Sequence, residues 1–321
     1  MIVLGIESSC DETAAAVVGP EGVRADVVHG QAVHAAYGGV VPEIASRAHA
    51  EQIVPVVRAA MEQAGIERPD AVAATAGPGL VGAVLVGLSF GRAAALGWGV
   101  PFIPVNHLEG HLLAPLLDDP APSFPFLALV VSGGHTTLYL AESVGRYRTL
   151  AETVDDAVGE AFDKVARMLG LGYPGGPLVD RLARDGNPSA VPLPRPRVGD
   201  LDMSFSGLKT AVRGWLEKHP DTPPADLAAS FQEAVADVLV DRVTRASRLT
   251  GVERVAIGGG AAANSRVRAR IAASGLEAYL PPLARCTDNG AMIANVGRLR
   301  LLAGLPTGPT SARPRWQVGE A

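Results

Sequence analysis

At 321 residues the chain exceeds one typical domain, so two comparable domains are the default expectation. Hydrophobic residues make up 48% and charged residues 19%, which excludes a disordered chain. A net charge of −5 with a pI near 5.8 excludes a globally basic surface, so any RNA partner must use a local patch.

The first residues, Met1-Ile-Val-Leu-Gly-Ile, lack the basic opening of a secretory signal and read as a strand. The acidic turn Ser8-Ser-Cys-Asp-Glu-Thr13 and the apolar run Ala14–Val18 complete a β-hairpin with a polar tip. Pro42 opens a helix that presents Ile44, Ala48, Val54, Val57 and Met61 and stops at Gly65. Ala71–Ala76 is a buried strand leading into Gly77-Pro-Gly79. The stretch from Leu80 to Val100 carries five glycines and Arg92, which predicts a buried, closely packed helix rather than a membrane span. Pro101–Val105 is a strand, and His107–Leu117 a helix.

Asp118-Asp-Pro-Ala-Pro-Ser-Phe-Pro125 is the clearest linker signal. A second round begins beyond it, with strand Phe126–Val131, turn Ser132-Gly-Gly134 and returning strand Thr136–Ala141. Helices at 156–170, 177–185, 206–218 and 224–249 follow, with a proline-rich excursion at 188–197. Strand Val252–Ile257 runs into Gly258-Gly-Gly260, then come helix 264–274, strand 277–280 and helix 288–303. Each half opens with a strand–polar turn–strand hairpin and ends in βαβ units. This is the layout of the actin/Hsp70/sugar-kinase (ASKHA) fold, an α/β architecture of two similar domains with a nucleotide cleft between them. The expected domains are 1–123, 124–296 and a C-terminal helix and tail, 297–321, that packs back on the first.

His107 and His111 are four apart, so on a helix they project from nearly the same side and can share one metal ion. A metalloprotease needs its glutamate directly after the first histidine, but Leu108 stands there. Glu109 sits roughly 200° around the helix from His107 and faces away, so the protease reading fails on geometry. The only cysteines, Cys10 and Cys286, offer no disulfide framework and read as two small buried thiols in a reducing cytoplasm. Asp11 and Glu12, at the first hairpin tip, are the candidate acid–base pair, with ordinary turn chemistry as the alternative.

Several long motifs then carry a specific resemblance. They are Gly5-Ile-Glu-Ser-Ser-Cys-Asp-Glu-Thr13, the His107/His111 pair, Val131-Ser-Gly-Gly-His-Thr136 and Asp155-Asp-Ala-Val-Gly-Glu-Ala-Phe-Asp-Lys164. Tyr173-Pro-Gly-Gly-Pro177, Phe205-Ser-Gly-Leu-Lys209, Gly258–Asn264, Cys286–Gly290 and Arg313-Pro-Arg-Trp316 complete the set, in order along the chain. Together they resemble the TsaD family, also called Gcp or YgjD, of bacterial tRNA N6-adenosine threonylcarbamoyltransferases. The sequence departs from the family's pattern at Ser8, where threonine is common, and at Asn106, where another histidine often precedes the pair.

The resemblance implies transfer of a threonylcarbamoyl group from threonylcarbamoyl-AMP to N6 of the adenosine 3′ of the anticodon, in tRNAs reading codons that begin with A. It also implies one iron(II) on His107, His111 and Asp288, with the partners TsaB and TsaE, in the cytoplasm and without a membrane. Zinc also suits two histidines and an aspartate, and an N-cap is the alternative role of Asp288. Val130, Val131, Ser132, Gly133 and Gly134 are expected to bind the donor, since glycine lets backbone N–H groups approach phosphate. Asp163 and Asp180 are placed against the ribose, and Gly176 offers a helix N-terminus. Asn264 is expected at the adenine or ribose, with an N-cap as its alternative. His135 reads as a core or turn histidine. Lys209 reads equally as a contact to phosphate or tRNA and as a solvated helix lysine. A bare actin-fold ATPase and a noncatalytic scaffold are the competing readings. The first leaves the histidine pair without a job, and the second leaves the complete set of loops unexplained.

Overall fold

The computed structural model describes residues 1–305 and 311–320. Chain order runs β1 (Val3–Glu7), β2 (Glu12–Gly19), β3 (Gly22–Gly30), α1 (Pro42–Ala64), β4 (Ala71–Gly77), α2 (Val81–Trp98), β5 (Phe102–Asn106) and α3 (His107–Leu113). It continues with β6 (Phe126–Val131), β7 (Thr136–Ser143), β8 (Arg146–Glu152), α4 (Val158–Met168), α5 (Gly175–Leu182), α6 (Ser206–Lys218) and α7 (Pro224–Thr250). β9 (Arg254–Gly258), α8 (Ser265–Ala272), β10 (Glu277–Tyr279) and α9 (Gly290–Leu302) end the series.

The chain divides into two compact units. The first takes the residues up to Ala121, Ser143–Tyr147 and the described residues from Thr287 on; the second takes Pro122–Glu142 and Arg148–Cys286. The first crossing lies inside the expected proline-rich linker. The last falls between Cys286 and Thr287, upstream of 296, because α9 is built into the first unit from its first turn. A Cβ on Gly5 of β1 would stand 2.3 Å from the backbone nitrogen of Ala294 and 2.4 Å from the carbonyl of Gly290. A Cβ on Gly290 would meet the Ala16 nitrogen of β2 at 2.4 Å. Glycine in both places lets the helix backbone lie directly on the β1–β2 hairpin.

In the first unit the strand order is β3-β2-β1-β4-β5, with an antiparallel hairpin on one side of β1 and parallel strands on the other. In the second it is β10-β9-β6-β7-β8, again with an antiparallel partner on one side of β6 and parallel strands beyond the other. The same topology therefore appears twice. Strands β3 and β8 are outer strands with mostly half-exposed or exposed residues. Strand β8 carries no hydrophobic alternation, whereas β3 alternates over Val23, Ala25 and Val27 against Arg24 and Asp26, with Ala25 buried and Val27 packed on the core.

Two expectations about helices are corrected. The buried stripe of α1 is Ala45, His49, Ile53, Val56, Val57 and Ala60, whereas Val54 is 47% exposed. The stripe rotates because His49 turns inward, where its ring lies 2.7 Å from Thr13 Oγ1 and 3.0 Å from the carbonyl of Cys10. Helix α2 is long and apolar enough to cross a membrane by length and composition alone, yet only 33% of it is buried. Its glycine face is the buried one: Gly87 sits against Ser8, and Gly91 against Ala74 and Phe102. Val81, Leu85 and Leu96 face outward.

Candidate metal centre and nucleotide loops

Helix α3 is short and all of it is buried. Its first turn is organised by Asn106, whose side-chain oxygen accepts from the Leu108 N–H at 2.9 Å and the Glu109 N–H at 3.4 Å. The other end of that amide donates to the carbonyl of Trp316 at 3.1 Å, so the C-terminal tail holds the start of the histidine helix. Asn106 is thus the N-cap of α3.

His107 and His111 project from one side of α3, with ring centroids 4.8 Å apart and planes at 85°. Asp288, just before α9, brings Oδ1 to 3.0 Å from His111 Nε2 and 3.7 Å from His107 Nε2. The N-cap of α9 is Asn289, whose side chain accepts from the Met292 N–H at 2.9 Å, so Asp288 is not the cap. Ligand atoms of the three residues all lie within 4.8 Å of one another. Nitrogen and oxygen ligands about 2.0–2.2 Å from a common ion stand about 3–3.6 Å apart, and two imidazoles with one carboxylate suit iron(II) or zinc. The residues therefore fit a divalent metal. The Nδ1 of His111 is buried without a partner among the described residues, which leaves Nε2, facing Asp288, as the engaged side of that ring.

Beside the triad is a residue that periodicity did not mark, Glu7. Fully buried at the end of an apolar strand, its Oε2 lies 2.9 Å from His107 Nδ1. In the sequence Glu7 closes the run Val-Leu-Gly-Ile and lies inside the motif Gly5-Ile-Glu-Ser-Ser-Cys-Asp-Glu-Thr13. Burial alone would raise the Glu7 carboxyl, but the facing His107 more than offsets this and lowers it. Burial likewise disfavours a charged His107, yet Glu7 and Asp288 outweigh it and raise the imidazole to about 9. Glu12 is pushed up to about 9 by burial, then by Asp288 and Asp11. This loop is tied down by the Gln31 N–H, which donates to the Asp11 carbonyl at 3.0 Å, and by His49.

Glu109 points away from the pair. Its carboxylate lies 2.6 Å from Arg300 Nη1 and accepts from the Tyr147 hydroxyl at 2.9 Å. Burial raises the Glu109 carboxyl, against the pull of Arg300. This residue is a structural anchor, not a base beside a metal.

The second unit assembles the glycine turns. After β6 the chain makes a tight turn in which Ser132 N–H donates to the His135 carbonyl at 2.8 Å and His135 N–H to Ser132 Oγ at 3.1 Å. His135 is thus a turn residue. At the start of α4, Gly159 donates its N–H to the Ser132 carbonyl, and a Cβ there would lie 2.7 Å from Gly133 Cα. Gly259, with φ +90°, approaches the Val131 carbonyl so closely that a Cβ would meet it at 2.4 Å. The Cβ directions of Gly133, Gly134, Gly176 and Gly260 meet open space.

The polar candidates of this unit are already engaged with backbone. Asp163 Oδ1 accepts from the Gly175 N–H at 2.7 Å, orienting the first turn of α5. Asp180 Oδ1 accepts from both the N–H and the hydroxyl of Ser265. Asn264 is buried and caps α8, accepting from the Arg266 and Val267 N–H groups, while its amide donates to Gln232 Oε1. Lys209 pairs with Asp156 at 3.1 Å, and Lys164 shares that carboxylate at 2.8 Å.

Solved structures share the fold at low sequence identity. Full-length HypF in its phosphate- and nucleotide-bound form superposes with a TM-score of 0.64 at 13% identity, over 97% of this chain and 47% of that one. Component A of the (R)-2-hydroxyglutaryl-CoA dehydratase of Acidaminococcus fermentans superposes at 0.57 with 18% identity, over 94% and 99%. The chain shares the fold of both, the ASKHA architecture. Relatives named tRNA N6-adenosine threonylcarbamoyltransferase are far closer in sequence. The one from Bordetella petrii is 52% identical over 341 aligned residues, covering 100% of this chain and 98% of its own length. That from Anaeromyxobacter dehalogenans is 53% identical over 332, covering 98% and 99%. The family model TsaD, described as tRNA N6-adenosine threonylcarbamoyltransferase, matches residues 22–295. Taken with the histidine–aspartate cluster and the glycine turns, these matches show that the chain belongs to the TsaD family of tRNA-modifying transferases.

Proposed function

We propose that the chain transfers the threonylcarbamoyl group of threonylcarbamoyl-AMP to N6 of the adenosine 3′ of the anticodon, in tRNAs reading codons that begin with A. The N6–C bond forms as the carbamoyl C–O bond to phosphate breaks, AMP leaves, and the amine gives up a proton. The observation that carries this reading is the convergence of His107, His111 and Asp288, which a bare actin-fold ATPase would leave without a job.

In this reading the first unit contributes the metal residues and the acid–base pair. His107, His111 and Asp288 hold iron(II), with zinc as a workable substitute. Three protein ligands leave open positions, and the ion supplies Lewis-acid polarisation of phosphate or carbonyl oxygen. Asp11 and Glu12, at the first hairpin tip, serve as the acids or bases that move the proton of the exocyclic amine. The second unit contributes nucleotide recognition. The turn from Val130 to Gly134 offers backbone N–H groups to phosphate, Gly176 opens α5 towards an anion, and Asp163, Asp180 and Asn264 shape the nucleoside end.

Arg195, Arg266 and Arg270 are paired with Asp237 and Glu233, so these three offer little unpaired positive charge to tRNA. Added positive surface from TsaB and TsaE supports tRNA affinity in this reading, which places the enzyme in the cytoplasm without a membrane.

The test is transfer of labelled threonine into unmodified tRNA by purified protein with synthetic threonylcarbamoyl-AMP, TsaB and TsaE. Label should appear with the native chain and not with His111→Ala. Steady ATP hydrolysis regardless of His111, with no label in tRNA, would leave an actin-fold ATPase instead.

A further inference from the structure

Glu7, Thr75 and His107 stand in a row along the sheet of the first unit. Parallel pairing sets Ile6 beside Ala74 and Thr75 beside Val105, so the carboxyl ends of β1, β4 and β5 present these three side chains together. The Glu7 carboxylate is held from three directions. Thr75 Oγ1 donates to Oε2 at 2.7 Å, the Ser9 N–H donates to Oε1 at 2.5 Å, and His107 Nδ1 lies 2.9 Å from Oε2. None of this carboxylate is exposed to solvent.

A buried carboxylate is a costly way to staple two strands, because its desolvation must be offset by every partner it has. A hydroxyl or amide would join β1 to β4 with less loss. What a carboxylate adds is a charged acceptor for one ring nitrogen of His107. With Nδ1–H directed at Glu7, the lone pair of the neutral ring is on Nε2, the atom that faces Asp288 at 3.7 Å. Such a partner fixes the tautomer and rotation of a ligating imidazole and makes it a better donor. No comparable partner serves His111, whose Nδ1 has none among the described residues. The two histidines are therefore unequal.

We propose that Glu7 is a positioning residue that orients His107 and thereby sets the divalent-metal affinity of the cluster His107–His111–Asp288. This rests on the metal reading given above, and the test separates the two.

Cobalt(II) is the probe, titrated into metal-free full-length protein and followed by its visible absorption, with zinc in competition. The native chain, Glu7→Gln, His107→Ala and the double variant are compared, each checked for folding by circular dichroism. Glu7→Gln should bind roughly 10–100-fold more weakly than the native chain. In the His107→Ala background the same change should alter affinity by less than about twofold, since a group acting through His107 has nothing left to act on. Native affinity in Glu7→Gln, or an undiminished loss in the His107→Ala background, would overturn the proposal while leaving the metal site standing. A native chain that binds no cobalt, or binds it equally well without His107, would remove the metal reading and the proposal together. Should Glu7→Gln not fold, Thr75→Val releases one of the three donors holding the carboxylate and keeps its charge. Weakened cobalt binding there supports the proposal, and unchanged binding overturns it.

Discussion

Asp288 Oδ1 lies 3.0 Å from His111 Nε2, a contact that closes 177 residues of sequence. Because Asn289 performs the capping of α9, Asp288 can be changed without unmaking the helix. Asp288→Asn should leave helicity intact and weaken divalent-metal binding by more than the roughly 100-fold that marks loss of an outer-shell partner. Calorimetric titration of the metal-free protein checks this. Native affinity in the variant would remove Asp288 from the ligand set.

Stability of the metal-free protein should fall as pH rises from about 5 to about 9. The Glu12 carboxyl has an ordinary value of 4.5 and is raised to about 9 in the fold, so across that window the folded state holds a proton the unfolded chain has lost. His107 acts in the same direction: its contribution is complete below the ordinary 6.5 and is lost as pH passes about 9. Glu12→Gln should flatten the decline of melting temperature with pH. An unchanged slope would show that Glu12 is ionised in the folded protein.

Glu109→Ala should destabilise the fold by about 3–5 kcal/mol, because it strands the largely buried Arg300 and removes the acceptor of Tyr147. Urea denaturation measures that loss. Metal affinity of the more conservative Glu109→Gln should stay within a few-fold of native, since this side chain turns away from the histidines. A collapse of metal binding in that variant would contradict the geometry.

Gly159→Ala should weaken adenine-nucleotide binding roughly tenfold or more. The new methyl would stand 2.7 Å from both Gly133 Cα and the Ser132 carbonyl, so the turn must shift, and displacements of about 1 Å in a binding loop carry penalties of this order. AMP affinity by calorimetry is the readout. Gly214→Ala, where a Cβ meets nothing within 4 Å, is the control that should change nothing.

Trp316→Ala should cost about 3–5 kcal/mol, the usual price of emptying a buried tryptophan site. Its ring, 3% exposed, packs with Ala76 and Leu88, and its carbonyl accepts from Asn106. Melting temperature and proteolytic release of the tail would both report the change. An unaltered melting temperature would mean that the tail is not part of the folded core.

Much of this was legible along the chain because it depends on near neighbours. An i, i+4 spacing puts His107 and His111 on one side of α3 whatever surrounds it. Tight turns around glycine, as at Ser132–Gly134, are equally local. Strand β8 is not legible because its sequence does not alternate, whereas β3 does alternate over Val23, Ala25 and Val27. The stripe of α1 was misplaced because a polar residue, His49, occupies a buried position that hydrophobic patterning assigns to its apolar neighbours.

Local patterning thus named candidate residues, and the family motifs named their kind. Packing across long stretches of sequence settled which of those residues meet. Gly5 and Gly290 lack side chains, so α9 lies against β1 and β2 and Asp288 arrives at the histidines. The pairing of β1 with β4 and of β4 with β5 sets Glu7 behind His107. Neither contact leaves a trace in periodicity, which records only a residue's relation to its own helix or strand, whereas these depend on how separate elements stack.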